Sequence, residues 1–352
     1  MTDANGPGHR PGRQIPGDPG HPPDGAEPDG AGNRPTEDAD GDPPLDPPPL
    51  RGSVGLRVAV YFLSVILAIS VAASEILRHL DGPEAVRAMS EPGAEIEPML
   101  FLWLRLLTLP IVLAVTVFFV RRLDHGRLRD IGLQAPPGTG IHLLLSCFIA
   151  AAPLIGWFLL VDPWATSKLE NFSGEELQLD PWLPLDAAGL LWIVAAFIGL
   201  AFLDEIIFRG YVYSAFRERF SWVHAAGLAN VLSISLYASH PDIGAAGLIN
   251  AFLLGLALAA MRERTGSLLM PAVFLGMWNV ILGCGLSLPV SGTYFPRLYD
   301  HRLEGPAAVT GGEFGPEGSW LLTVFLLALV MLLAAWVERG GRGHELELVN
   351  RP

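Results

Sequence analysis

Two adjacent acids and an arginine interrupt a long apolar run near the middle of the chain. The run begins "LLWIVAAFIGLA" and continues "FLDEIIFRGYVYSAF", and its charged residues are Asp204, Glu205 and Arg209. Each ionised group in such a run costs roughly 2.5 to 3.5 kcal/mol on insertion scales, so keeping three of them needs a reason. General-base catalysis gives one, because a carboxylate can take a proton from an attacking water molecule. A buried ion pair that merely locks helices together is the structural alternative.

Helix geometry allows the two acids separate partners. Glu205 and Arg209 are four residues apart, which places them on one helix face with the acid in the favourable N-terminal position. Asp204 points about 100° away from Glu205 around the helix axis. We therefore expect each acid to contact a different group.

Two polar residues in other apolar stretches could complete a catalytic site. His240 ends the stretch "SISLYASHPD", and Asn279 lies in "MPAVFLGMWNV". Histidine can share the proton of the attacking water, and both side chains can donate to a carbonyl oxygen that becomes negative. Taken singly, the histidine also suits the end of a membrane helix, and the asparagine suits a helix contact worth about 0.6 kcal/mol.

Composition predicts the elements that must position these residues. The chain has 352 residues, of which 51% are hydrophobic and 17% charged, and its mean hydropathy is +0.39, values typical of a multi-span membrane protein. The net charge of -13 and the absence of a basic stripe exclude nucleic acid as a partner. Cys147 and Cys284 lie in apolar runs, so we expect no disulfide, no metal site and no cofactor.

The predicted fold is an all-α bundle of about eight transmembrane spans behind a disordered N-terminal tail. Residues 1–50 are rich in Pro, Gly and Asp and form this tail, with no cleaved leader expected. Residues 51–180 carry the N-terminal spans, residues 181–340 carry the core with the polar groups, and residues 341–352 form a C-terminal tail. The apolar stretches, each near the roughly 20 residues that cross a bilayer, are 55–77, 98–120, 140–161, 186–216, 222–240, 243–261, 267–285 and 319–337.

Arginine placement predicts the orientation. The connections after the second, fourth and sixth spans and the C-terminal tail carry arginines, whereas the connection "KLENFSGEELQLD" before the fourth span is acidic. The positive-inside rule then predicts that both termini lie in the cytoplasm. The membrane we expect is the inner or plasma membrane of the cell.

The polar motifs resemble those of a known family. "DEIIFRG" is similar to the E-E-x-x-x-R motif and "LYASH" to the F-x-x-x-H motif of the CPBP intramembrane proteases, which include type II CAAX prenyl endopeptidases and bacteriocin-processing enzymes. "RERTGSLLMPAVFLGMWN" is similar to the stretch with the third motif, H-x-x-x-N, and "TGGEFGPEGS" to a segment before the last span of bacterial members. The resemblance covers roughly residues 185–338.

The resemblance implies a role for each polar residue. Asp204 matches the glutamate that activates water, Glu205 the second acid, and Arg209 the arginine that orients them. His240 matches the histidine that acts with the acid, and Asn279 the asparagine that holds the oxyanion. The implied reaction is hydrolysis of a peptide bond in a peptide or membrane-protein substrate, prenylated or not, within the bilayer and without a metal. The residues leave open whether Asp204 or Glu205 is the base.

Departures from the motifs keep a second function open. Asp204 is one methylene shorter than the family's glutamate. Leu236 replaces the phenylalanine of the second motif, and Leu275 replaces the histidine of the third. Loss of one oxyanion donor costs about 2.7 to 4 kcal/mol in hydrolases. The alternative is a non-catalytic member that binds a membrane partner or acts as an immunity-type protein. A transporter would predict repeat symmetry and paired broken helices, which the sequence does not clearly show.

Overall fold

The structure is a computed structural model that describes residues 53–80, 98–161, 166–169, 187–236, 242–295 and 301–349. All of these residues belong to a compact unit that begins at Pro49. The predicted disordered tail, residues 1–50, lies outside the described residues. The predicted division of the rest at residues 180 and 340 stays a prediction.

The predicted helical membrane fold is confirmed. The α-helices, in chain order, are α1 (Val54–Leu80), α2 (Pro98–Phe118), α3 (Thr139–Val161), α4 (Ala187–Glu205), α5 (Tyr213–Arg217), α6 (Trp222–Ser235), α7 (Ala245–Thr265), α8 (Leu269–Asn279), α9 (Ala307–Thr310) and α10 (Trp320–Val349). The sheet seen in the described residues is one antiparallel pair, β1 (Thr166–Leu169) with β2 (His301–Glu304), in which Thr166 lies opposite Glu304.

Six helical segments are long and apolar enough to cross a membrane: Val54–His79, Leu102–Leu123, Thr139–Val161, Gly189–Arg217, Ala245–Thr265 and Trp320–Gly340. The two remaining predicted stretches are shorter in the described residues. Residues 222–240 contain the helix Trp222–Ser235, and residues 267–285 contain the apolar helix Leu269–Gly285. The prediction of about eight spans therefore corresponds to six helices of full spanning length and two shorter ones.

Three helices change to π-helical geometry near their C-terminal ends. The π-helical segments are Phe119–Leu123 after α2, Ile206–Val212 between α4 and α5, and Val280–Gly285 after α8. A π-turn closes its hydrogen bond over one residue more than an α-turn, and such turns frequently occur at functional sites. Two of these segments directly follow the motif residues Glu205 and Asn279.

Close packing of α8 against α4 brings two of the predicted motifs together. A Cβ atom on Gly276 would lie 2.7 Å from the Cα atom of Ile198, so only a glycine fits at this contact. Small residues let membrane helices approach closely in this way. Trp278 and Phe274 are fully buried in the same core, whereas large apolar residues such as Phe148 on α3 and Leu332 on α10 are exposed, as lipid-facing residues are.

Candidate active site

A cavity of about 440 Å³ lies among the helices that carry the predicted motifs. Apolar side chains form much of its wall, and a smaller set of polar groups converges on it, which is typical of ligand sites. The polar side chains that line the cavity are Arg105, Asp204, Arg209, Ser233, Asn250, Asn279, Ser291, Thr293 and Glu317.

Asp204 lines the cavity and forms an ion pair with an arginine from another helix. The Nη2 atom of Arg105, on α2, donates to Oδ1 of Asp204 at 2.5 Å, and both side chains are mostly buried. Arg105 lies outside every motif, so the motifs do not identify it as a residue of the site. The available signal was a lone arginine in the apolar stretch "FLWLRLLTLP", which carries the same insertion cost as the charges on α4.

Glu205 is fully enclosed and does not line the cavity. Its Oε1 atom lies 3.4 Å from Nη1 of Arg209, as expected for residues four apart on one helix. Neither carboxyl oxygen makes a hydrogen bond within the described residues. The two acids therefore contact different arginines, as their 100° separation predicts.

Arg209 connects the enclosed acid to the cavity wall. It lies in the π-helical segment, lines the cavity, and donates from Nη2 to Oδ1 of Asn230 on α6 at 3.2 Å. Asn230 donates in turn to the carbonyl oxygen of Phe252 at 3.2 Å. A Cβ atom on Gly255 would lie 2.3 Å from Oδ1 of Asn230 and 2.7 Å from Nη2 of Arg209, so this glycine makes room for the contact.

Asn279 and Leu275 line the cavity from the same face of α8. They are four residues apart, and the asparagine side chain makes no hydrogen bond to any residue that the structure describes. The position that holds a histidine in the third motif therefore lies on the cavity wall, but in this chain that residue is Leu275. His240 lies outside the described residues, so its placement stays a prediction.

Glu317 is a polar residue of the cavity whose contacts the sequence analysis did not predict. Its Oε1 atom accepts a hydrogen bond from Nε1 of Trp278 at 3.0 Å, and its Oε2 atom accepts from the backbone N–H and the hydroxyl of Ser291, both at 2.7 Å. Burial raises the pKa of Glu317, and the three donors partly oppose this shift.

A serine close to Glu317 caps the N-terminus of the last helix. The Ser319 hydroxyl accepts hydrogen bonds from the backbone N–H groups of Leu321 at 3.1 Å and Leu322 at 3.4 Å. It therefore caps α10, while Glu317 points to the cavity.

The described residues contain no group of three His, Cys, Asp or Glu side chains that could hold a metal ion. Cys147 and Cys284 are both free cysteines. That the reaction needs no metal or cofactor stays a prediction.

Comparison with known proteins agrees with the motif resemblance. Residues 186–281 match the family model described as "Type II CAAX prenyl endopeptidase Rce1-like". The chain is also 34% identical over 159 residues to an "Uncharacterized 24.3 kDa protein" of Escherichia coli, an alignment that covers 45% of this chain and 65% of that protein. The residues that the family model matches include the acid pair, Arg209 and Asn279, and this match supports the resemblance of the motifs to the CPBP family.

Proposed function

We propose that this membrane protein is an intramembrane endopeptidase in which Asp204 activates the attacking water. The observation that carries the proposal is the shared cavity: Asp204 from the first motif and Asn279 from the third line one space of about 440 Å³. An acid that can take a proton and an amide that can donate to an oxyanion are the two minimum requirements for peptide hydrolysis.

In the proposed reaction, a water molecule attacks the carbonyl carbon of the scissile peptide bond. Its proton passes to the Asp204 carboxylate, with the predicted help of His240, and the carbonyl oxygen becomes an oxyanion that the Asn279 side-chain amide stabilises. The C–N bond then breaks, and the proton moves from the site to the leaving amine. The products are a carboxylic acid and an amine, so the reaction balances without a cofactor.

The two acids have different proposed roles because their surroundings differ. Asp204 reaches the cavity and is held there by Arg105, whereas Glu205 is fully enclosed against Arg209. A group that exchanges protons with a substrate must reach it, so we assign the base to Asp204. Glu205 acts as the counter-charge that holds Arg209 at the cavity wall beside Asn230.

The substrate we propose is an extended peptide or a membrane-protein segment. Phe197, Leu254, Leu258 and Phe295 line the cavity beside the polar groups and would accept an apolar side chain or a lipid modification. The arginines after the even-numbered predicted spans support an inner or plasma membrane location with both termini in the cytoplasm.

Cleavage of membrane-linked peptides by purified protein in detergent tests the proposal. Asp204→Asn should lower kcat on the order of 100-fold or more, because general-base catalysis typically contributes 10² to 10⁴-fold. The matched control is Glu313→Gln, an exposed acid that does not line the cavity. Equal cleavage by the wild type and Asp204→Asn would rule out this mechanism.

A specific observation favours a second candidate, a non-catalytic protein that binds a membrane partner. Leu275 occupies the cavity wall at the position of the third-motif histidine, so the site has one oxyanion donor fewer than the family pattern. Leu275→His discriminates between the two functions. An increase in cleavage of about 10-fold or more indicates a working protease with a weakened site, whereas unchanged absence of cleavage in a folded variant favours the binding protein.

A further inference from the structure

Glu317 joins two parts of the cavity wall that are far apart in sequence. One carboxyl oxygen accepts from Trp278, which is the residue before Asn279 on α8, and the other accepts twice from Ser291. Trp278, Ser291 and Glu317 all line the cavity. A single carboxyl group therefore connects the α8 face that carries the predicted oxyanion donor to the turn at residues 290–293.

The 290–293 turn has a backbone conformation that needs external support. The backbone groups of Val290 and Thr293 bond to each other at 2.9 and 3.0 Å, and the two residues between them, Ser291 and Gly292, have positive φ angles of 47° and 81°. Glycine tolerates this conformation, but for a serine the left-handed region is unfavourable. Such conformations persist only where the surrounding structure imposes them, and they cluster at functional sites.

Glu317 supplies that support, and its own segment is built to reach the turn. The backbone N–H of Gly292 donates to the carbonyl oxygen of Phe314 at 3.0 Å. A Cβ atom on Gly315 would lie 2.5 Å from the carbonyl oxygen of Pro289, and the φ angle of Gly315 is 85°. These close backbone contacts place the segment of residues 310–319, which resembles a segment before the last span of bacterial family members, directly against the turn.

We propose that Glu317 is a positioning residue of the cavity, which holds the 290–293 turn against the α8 face so that a substrate lies beside Asn279. The proposal rests on the proposed function for its catalytic consequence. Glu317 itself does not exchange protons with the substrate, because both of its oxygens are engaged by donors of the wall. Its loss leaves the turn free to relax and widens the cavity on the side of Thr293.

A labelling experiment tests the structural step without any need for cleavage. Thr293→Cys is introduced into full-length protein that carries Cys147→Ala and Cys284→Ala, and its reaction with a small maleimide is timed in detergent. Glu317→Ala should increase the labelling rate about 10-fold, since the turn loses the hydrogen bonds that Ser291 donates to a charged group. Glu313→Ala, in the same segment but exposed and away from the cavity, should leave the rate unchanged. An unchanged rate in Glu317→Ala would overturn the proposal.

A kinetic experiment tests the catalytic step. Glu317→Gln keeps the side-chain size and serves where Glu317→Ala does not fold; it should lower kcat about 10-fold or more while KM changes less, because a small displacement is felt most in the transition state. Ser291→Ala should have a smaller effect that disappears in the Glu317→Gln background, since both changes disrupt the same contact. Fully additive effects would contradict the proposal. If wild-type protein cleaves nothing while labelling still depends on Glu317, the proposed function fails and the positioning role stands.

Discussion

Glu263 on α7 and Glu205 on α4 are two acids whose surroundings differ sharply. Glu263, on α7, accepts hydrogen bonds from Tyr213 at 2.5 Å and from Arg217 at 2.7 and 3.2 Å, so both of its oxygens are engaged. Glu205, on α4, has one arginine nitrogen at 3.4 Å and no hydrogen bond within the described residues. The first group is fully satisfied, and the second is not.

The difference separates a cluster that helix packing explains from the acid pair, for which we propose a catalytic role. Buried polar groups in proteins are normally hydrogen-bonded, and the exceptions require an explanation. The Glu263 cluster needs none beyond helix packing, because its three members satisfy one another. The acid pair at 204 and 205 is incompletely paired on one side and open to a cavity on the other. This is the arrangement expected where polar groups are retained for chemistry despite their cost in stability.

The largest predicted effect comes from removing the arginine of each region in turn. Arg105→Gln leaves Asp204 without its partner, and a displacement of about 1 Å at the reacting group can cost on the order of 100-fold in rate. Arg217→Gln instead weakens the Glu263 cluster, which is partly exposed, and should lower the free energy of unfolding by about 1 kcal/mol with cleavage unchanged at a permissive temperature. Cleavage rates and thermal midpoints measured in detergent check both. If Arg105→Gln lost stability but not cleavage, Asp204 would serve helix packing, as Glu263 does, and not catalysis.

A substitution at Gly255, which lies against Asn230 and Arg209, should have an intermediate effect on stability. Gly255→Ala inserts a methyl group 2.3 Å from Oδ1 of Asn230, and overpacking of this kind typically costs about 1 to 3 kcal/mol. The matched control is Gly227→Ala on α6, where the nearest atom, Cζ of Phe252, is 3.9 Å away. That change should stabilise the helix by roughly 0.5 to 1 kcal/mol. Thermal unfolding of the two variants gives the comparison, and equal midpoints would show that the Arg209–Asn230 contact tolerates displacement.

The smallest effect is a pH dependence of stability that depends on Glu317. Because burial raises the pKa of Glu317, its contribution to folding is fully present below the unfolded pKa of about 4.3 and is lost as the pH rises through the folded pKa. The slope in this window is at most about 1.4 kcal/mol per pH unit. Glu317→Gln should flatten it, whereas Glu313→Gln should not. Unfolding midpoints between pH 4 and pH 8 measure the slope, and an unchanged slope in Glu317→Gln would assign it to other groups.

The sequence predicted the parts of this arrangement that depend on local spacing. The separation of Glu205 and Arg209 by four residues predicted their contact, and the 100° between the acids predicted different partners. The apolar stretches predicted the helices. All of these follow from helix periodicity, which is visible in a single chain.

Contacts between distant segments could not be predicted in the same way. Nothing in the spacing of "FLWLRLLTLP" identifies Asp204 as the partner of Arg105, because that contact depends on how α2 packs against α4. The contacts of Glu317 could not be predicted either, since its partners Trp278 and Ser291 belong to another helix and a turn. The helix α6 ends at Ser235, inside the predicted stretch 222–240, because an apolar stretch does not by itself indicate where a helix ends.

The π-helical segment after α4 makes the arginine's direction sensitive to insertions and deletions. A helix that has gained a residue in one turn can lose one there and close again as an ordinary α-helix. Loss of a residue between Glu205 and Arg209 would therefore leave a continuous membrane helix of nearly the same length. The arginine would then be three residues from Glu205, still on the same face of the helix, but it would point in a different direction from the one that now reaches Asn230. In this stretch of the chain, an intact fold is no guarantee of an intact site.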